Sequence, residues 1–322
     1  MLPVKSQLKI CFAHGAYRMA ERFQLRDTGI AHVEARTAEE LARQLPDADV
    51  LVVSMMWKNE LADITGRLKF IQSISAGTDQ YDKQLLRERG VRVASAAGVN
   101  AQAVAEHAMA LILALKRHLH TGRDNQAAQQ WRGMISEIGE REDQLGGKTL
   151  LVVGLGRIGS RLAQLAKAFD MRVVGIRRDA SRGGGGADAV YGHARLHELL
   201  GSADIVALTC PLTAETTNLI DAKALSAMKP SAHLINVSRG RVVDEPALVR
   251  AMQEKRLAAA GLDVTQVEPL PATSPLWAMP NVLITPHTAG ETQRYEDGVI
   301  DLLLENLARL WRGEATLENQ VV

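Results

Sequence analysis

The sequence predicts an α/β protein of two doubly wound parallel-sheet domains, one inserted into the other. Short, wholly apolar runs recur along the 322-residue chain, as strands buried on both faces require. Segments of helical composition separate them, the alternation that builds parallel sheets. One run opens directly into Gly154-Leu155-Gly156-Arg157-Ile158-Gly159, followed by a helical stretch and another apolar run. The expected boundaries are residues 1–100 plus 291–322 for the outer domain and 101–290 for the inserted one.

In the first hundred residues, Leu8 to Ala13, Val50 to Ser54, Phe70 to Ile74 and Val91 to Ala94 read as strands. Segments near 17–26, 37–45 and 80–89 read as helices. Ser75-Ala76-Gly77-Thr78-Asp79 follows a strand with small residues. It is either a plain turn or a place where backbone N–H groups stay open to a ligand, since open α/β sheets bind at strand carboxyl ends.

Residues 101–120 read as one long helix, with Val104, Ala108, Leu111 and Leu115 on one face. Glu106, His107, His118 and His120 lie in it without a third metal ligand at suitable spacing, so they are taken as structural or solvated. Residues 121–148 are polar, with Trp131 as the one large apolar anchor.

Thr149 to Val153 is a buried strand, and Ile158, Leu162, Leu165 and Phe169 set the face of the helix after the glycine turn. Arg172 to Ile176 is the next strand. In this setting a GxGxxG motif has a physical meaning. Gly154 permits the tight turn, Gly156 lets a pyrophosphate approach the helix N-terminus, and Gly159 allows close packing of helix on strand. The expectation is a Rossmann dinucleotide site. Where a ribose-binding acid would stand, the chain has Arg177-Arg178, with Asp179 beyond. Two guanidinium groups suit a 2′-phosphate, which favours NADP. The alternative is that Asp179 binds the ribose of NAD and the arginines are solvated.

Gly183 to Gly186 reads as a surface loop. Asp204 to Thr209, His233 to Val237, Ala258 to Val264 and Asn281 to Thr285 complete a set of six strands, and residues 291–312 form a last helix that returns to the outer domain.

Bulk properties exclude other classes. Net charge is +1 and aromatics are 4%, which gives no surface for nucleic acid or anionic membranes. Cys11 and Cys210 sit apart in apolar runs, as small buried hydrophobes. The longest apolar run, Ala108 to Leu115, is too short to span a bilayer, and no signal peptide is evident. A cytoplasmic protein is expected.

Arg239, Asp263, Glu268 and His287 follow successive strands of the inserted domain, so they share one sheet edge. Hydride transfer to or from an alcohol carbon needs a proton donor or acceptor near neutrality, as histidine is. A carboxylate would orient the ring, and an arginine would grip a carboxylate-bearing substrate. Each residue also has a plain reading: loop cation, surface charge, buried donor.

In order, GLGRIG, CPLTAET, INVSRG, GLDVTQVEPLP and ITPHTAG resemble the D-isomer-specific 2-hydroxyacid dehydrogenase family. The VAEHAMALILAL helix and SAGTDQYD loop extend the likeness to essentially the whole chain. It implies a Rossmann cofactor domain inserted into a flavodoxin-like substrate domain, with the active site in the cleft between them, and a homodimer whose interface includes the 101–120 region. It implies Arg239 on the 2-oxo acid, Glu268 pairing with His287, His287 as general acid and base, and Asp263 on the nicotinamide carboxamide. Ala76 and Gly77 would bind substrate carboxylate through N–H groups. Gly154, Gly156, Arg157, Ile158, Gly159, Cys210, Pro211, Thr216 and Val237 would line the cofactor.

Arg177-Arg178 resembles the basic pattern of glyoxylate and hydroxypyruvate reductases that use NADPH. Trp57 stands where some of them place a tryptophan near substrate, with a core role as the alternative. The reading is a reductase of small 2-oxo acids. Its alternatives are a same-fold dehydrogenase of another small anion such as phosphite, and a non-enzymatic NAD(H)-sensing protein. Gln in place of Glu268 would be expected for formate.

Overall fold

The structure, a computed structural model, describes residues 2–322. Packing of the backbone divides the chain into two compact units: Met1–Asn100 with Glu291–Val322, and Ala101–Gly290.

The first unit runs β1 (Lys9–Ala13), α1 (Met19–Gln24), β2 (Ala31–Ala35), α2 (Ala38–Gln44), β3 (Val50–Val53), β4 (Phe70–Ser73), α3 (Lys83–Glu88) and β5 (Arg92–Ala94). The five strands are parallel in the order β2-β1-β3-β4-β5, the flavodoxin-like winding. Alternate side chains enter opposite core layers: Ile10 and Phe12 pack with Phe23 on one face, Cys11 and Ala13 with Leu41 on the other. That is why interior strands such as β1 and β3 read as mostly apolar runs rather than alternating ones. The side chains of Thr37 and Asp82 cap α2 and α3 by accepting N–H groups of their first turns. β2 was not expected. It is an edge strand with most of its side chains outside the core, so Ala-His-Val-Glu-Ala carries little apolar signal.

The second unit runs α4 (Ala101–Lys116), α5 (Leu119–Ala127), β6 (Thr149–Val153), α6 (Arg157–Lys167), β7 (Arg172–Ile176), β8 (Ala189–Tyr191), α7 (Leu196–Leu200), β9 (Ile205–Leu208), α8 (Ala222–Ala227), β10 (His233–Asn236), α9 (Glu245–Gln253), β11 (Ala259–Leu262) and β12 (Val282–Ile284). Its sheet is wholly parallel, in the order β12-β11-β10-β9-β6-β7-β8. The winding reverses between β6 and β9, the switch point at which such sheets bind ligands. Leu151 and Val153 of β6 face one core layer, Leu150 and Val152 the other. The last helix, α10 (Tyr295–Trp311), buries Val299, Ile300, Leu303 and Leu307 in the first unit.

Four expectations need correction. The second sheet has seven strands, not six, because the short, half-buried edge strand β8 carries almost no pattern. The single helix over 101–120 is two, α4 and α5. His118 between them has φ 49° and ψ 34°, a left-handed conformation that interrupts the helical ladder. Trp131 is not an anchor: it is 99% exposed, in a stretch over 130–137 without regular structure. Phe169 is 40% exposed because α6 ends at Lys167, before the helical face reaches it. No described helix is long and apolar enough to cross a membrane.

Candidate active site

The β6–α6 turn lies at the switch point. Gly154 has φ 104°, and a Cβ there would fall 2.4 Å from the Cys210 nitrogen, so only glycine lets β6 pass the end of β9. A Cβ on Gly159 would fall 2.4 Å from the Gly154 carbonyl oxygen, which fixes α6 tightly on its own turn. Gly156 differs: among the described residues nothing lies within 4 Å of where its Cβ would be. It is the N-cap of the eleven-residue α6, with no side-chain cap and no acidic residue in the first turn. The backbone at Gly156 is therefore open to a close approach at the positive end of the helix, the room that a pyrophosphate would need. Ile158 is half-buried against the core and Arg157 is exposed.

At the end of β7, Arg177 directs Nη1 to the carbonyls of Arg182 and Gly183, at 3.4 and 3.1 Å. Arg178 is exposed. Asp179 is exposed and caps its own turn through one oxygen: Oδ1 accepts from the Ser181 N–H at 3.1 Å and hydroxyl at 2.6 Å, while Oδ2 lies 3.7 Å from Arg182 Nε. Across the switch point, burial pushes the Cys210 thiol up to about 11, so it is a neutral apolar group. Thr216 is buried. Its hydroxyl donates to the Pro211 carbonyl at 2.7 Å and accepts the Thr213 N–H at 2.7 Å, bracing the 211–216 loop. Val237 is a buried side chain just past β10.

Arg239, Asp263, Glu268 and His287 come from the loops after β10, β11 and β12. A Cβ on Gly240 would fall 1.9 Å from the Thr265 carbonyl oxygen, so the turn carrying Arg239 presses against the backbone leading to Glu268. Glu268 Oε1 accepts the Thr265 N–H at 3.1 Å, and Oε2 pairs with His287 Nδ1 at 2.7 Å. This bond raises the His287 pKa above its ordinary 6.5, against the opposing effects of burial and of the Arg239 charge. Burial acts to raise Glu268, yet the bond to His287 and the Thr265 N–H hold it below 4.5 on balance. The result is a histidine biased toward its charged form.

Behind the ring lies a buried anchor. Asp263 is 2% exposed. Its Oδ1 accepts from the Thr285 hydroxyl at 2.6 Å and from the Thr288 and Ala289 N–H groups at 3.0 and 3.2 Å; its Oδ2 accepts from Ala289 at 3.1 Å. The His287 N–H donates to the Asp263 carbonyl at 2.8 Å, and His287 itself has φ 57°. His107 Nε2 meets the Thr285 hydroxyl at 2.8 Å. Sequence reasoning set His107 aside as structural or solvated and did not single out Thr285. One signal was available: His107 lies three residues after Val104 and four before Leu111, on the apolar face of α4, where a polar side chain needs a partner.

In the first unit, the N–H groups of Ala76 and Gly77, just past β4, form no hydrogen bond among the described residues, and both residues are half-buried. Trp57 is 3% exposed, lies tilted against Tyr81 at 6.0 Å between ring centroids, and donates its indole N–H to Asn59 at 3.0 Å. It is a core side chain.

Residues 109–289 match the family model described as D-isomer specific 2-hydroxyacid dehydrogenase, NAD binding domain. Glyoxylate/hydroxypyruvate reductase B of Escherichia fergusonii is 36% identical over 299 residues, 92% of this chain and 91% of that protein. The glyoxylate reductase of Pyrococcus furiosus is 34% identical over 297 residues, 88% of this chain and 86% of its own length. A crystal structure of a D-isomer specific 2-hydroxyacid dehydrogenase family protein from Aeromonas salmonicida has a TM-score of 0.86 at 29% identity, covering 98% of this chain and 99% of that one.

Proposed function

This chain belongs to the D-isomer specific 2-hydroxyacid dehydrogenase family, and we propose that within it the protein reduces small 2-oxo acids of the glyoxylate or hydroxypyruvate type, with NADPH as the favoured donor. It is a nicotinamide-linked oxidoreductase acting on CH–OH donors. The observation that carries the catalytic assignment is the Glu268–His287 pair, whose bond favours the imidazolium.

When bound, the nicotinamide supplies the hydride to the keto carbon. His287 gives a proton from Nε2 to the carbonyl oxygen as charge builds there, and takes it back in the oxidation. Glu268 keeps the ring oriented through Nδ1 and stabilises its charged form. Arg239 binds the oxo acid and polarises its carbonyl. Ala76 and Gly77 offer N–H groups to the substrate carboxylate. Asp263 receives the carboxamide, and the Gly154–Gly159 turn with Arg157 and Ile158 takes the pyrophosphate.

Arg177 and Arg178 take the 2′-phosphate. The support is that Arg178 is exposed at the end of β7, while Asp179, the acid that could serve a 2′-hydroxyl instead, already spends one oxygen on Ser181. The first experiment follows nicotinamide absorbance with glyoxylate and hydroxypyruvate, using NADPH and NADH in parallel. Faster oxidation of NADPH is expected; equal rates would return the ribose to another group. His287→Ala should lower turnover by roughly 10²–10⁴ with cofactor binding retained, and full activity would remove His287 from the reaction.

The protein is further proposed to be a homodimer. Trp131, Met134 and Ile138 of the second unit are 99%, 99% and 79% exposed. Three large apolar side chains so close in sequence call for a covering surface.

A further inference from the structure

We propose that His107 is a positioning residue for the catalytic turn. By donating from Nε2 to Thr285, it fixes the Thr285 hydroxyl on Asp263 and so holds the carboxylate that anchors the backbone around His287.

A threonine hydroxyl has one proton and goes on accepting through its lone pairs. That proton lies on Asp263 Oδ1, at 2.6 Å. The oxygen can then only accept from His107, 2.8 Å away, so His107 carries its proton on Nε2. The chain of bonds has one direction: His107 to Thr285, Thr285 to Asp263, with the Thr288 and Ala289 N–H groups converging on the same carboxylate. Such a carboxylate, removed from water, depends on its donors, and losing one weakens its grip on the rest.

The far end of the chain is rigid. Leu111 and Leu115 of α4 pack against Gly261 of β11, where a Cβ would come within 3.2 and 3.3 Å of them. The helix bearing His107 is thus fixed to the strand that ends in Asp263. The near end needs that rigidity, because His287 adopts a left-handed φ of 57° while its ring stays 46% exposed for chemistry. An accessible ring gains a defined direction from its backbone, and that backbone hangs on Asp263.

The consequence for turnover rests on His287 being the proton donor proposed above; the effect on the turn does not. Three variants separate the roles: His107→Phe keeps a ring and loses the donor, His107→Gln keeps a donor, and Thr285→Val keeps the shape and loses the hydroxyl. Hydrogen exchange at the Thr288 and Ala289 amides is read beside kcat and KM for glyoxylate with NADPH. His107→Phe and Thr285→Val are each expected to speed exchange at these two amides by about 10–100-fold, the value of a hydrogen bond in a charged network. Exchange in β6 and β7 should not change. A fall in kcat should accompany this, His107→Gln should restore most of it, and the Phe/Val double variant should be no slower than Thr285→Val alone. Unchanged exchange at Thr288 and Ala289, a Gln variant no better than Phe, or additive losses would overturn the proposal. If His107→Phe loosens β6 and β7 as well, Thr285→Val decides. If the unaltered protein reduces no oxo acid, the catalytic reading fails and the exchange data alone decide the positioning role.

Discussion

Replacing Glu268 with Gln tests the catalytic pair at its centre. Gln can still accept the Thr265 N–H that Glu268 Oε1 takes at 3.1 Å, so the loop keeps its bond. Its amide presents N–H to His287 Nδ1 where a carboxylate oxygen stood at 2.7 Å. That nitrogen must then be unprotonated, and the imidazolium loses its main support. A hydrogen bond to a charged group contributes about 1.5–3 kcal/mol when shielded. Here the side chains are 46% and 38% exposed, which moves the pair toward the lower figure for solvent-exposed ions, about 0.2–1 kcal/mol. Taking about 1 kcal/mol, with one pH unit equal to about 1.36 kcal/mol, the midpoint should fall by roughly 0.5–1 unit. Reduction needs the charged ring, so it is full below the raised His287 pKa and is lost as pH rises through it. The assay is kcat/KM for glyoxylate against pH, which reports the free enzyme. Glu268→Gln should move the falling limb to lower pH and slow the enzyme at neutrality. An unmoved limb would show that Glu268 does not set the His287 charge. The same signs govern stability. The His287 contribution is whole below 6.5 and fades as pH rises; that of Glu268 is whole above 4.5 and fades as pH falls, so the pair stabilises most between those values.

Replacing Arg177 and Arg178 together with Ser should raise KM for NADPH by roughly tenfold or more, one charged hydrogen bond's worth, and leave KM for NADH little changed; equal effects on both would place the 2′-phosphate elsewhere. Gly240→Ala puts a Cβ 1.9 Å from the Thr265 carbonyl. Because the obstacle is backbone, a loss of about 1–3 kcal/mol is expected, read as a lower Tm together with a raised KM for the oxo acid; an unchanged Tm would show that the two turns can part freely. Trp131→Glu should convert a dimer to monomer in sedimentation without lowering Tm, since its side chain contributes nothing to the core; a dimer that survives would locate the interface away from this segment.

Which elements could be read from sequence follows from how each is buried. Interior strands β3, β6 and β9 contact apolar layers on both faces, so they show as short, nearly unbroken apolar runs. β2 and β8 sit at sheet edges with half-exposed side chains, and no pattern marks them. Trp131 was misread because size and hydrophobicity suggest burial, whereas only a neighbouring apolar surface can provide it, and this unit offers none over 130–137.

The sequence alone determined the two doubly wound sheets, the turn at Gly154–Gly159, and the placing of Arg239, Asp263, Glu268 and His287 after successive strands. These follow from local rules: apolar period, glycine conformation, and the fact that a parallel sheet gathers every strand's carboxyl end on one edge. The tertiary structure decided which of those groups meet. Glu268 and His287 are nineteen residues apart, and His107 and Thr285 are separated by 178. Such pairings depend on strand register and on the seat of α4 against β11, through packing that no local stretch of chain encodes. It also decided that Asp263 is a buried hub with donors on both oxygens, and that Trp57 is core, since burial is a property of everything that surrounds a side chain.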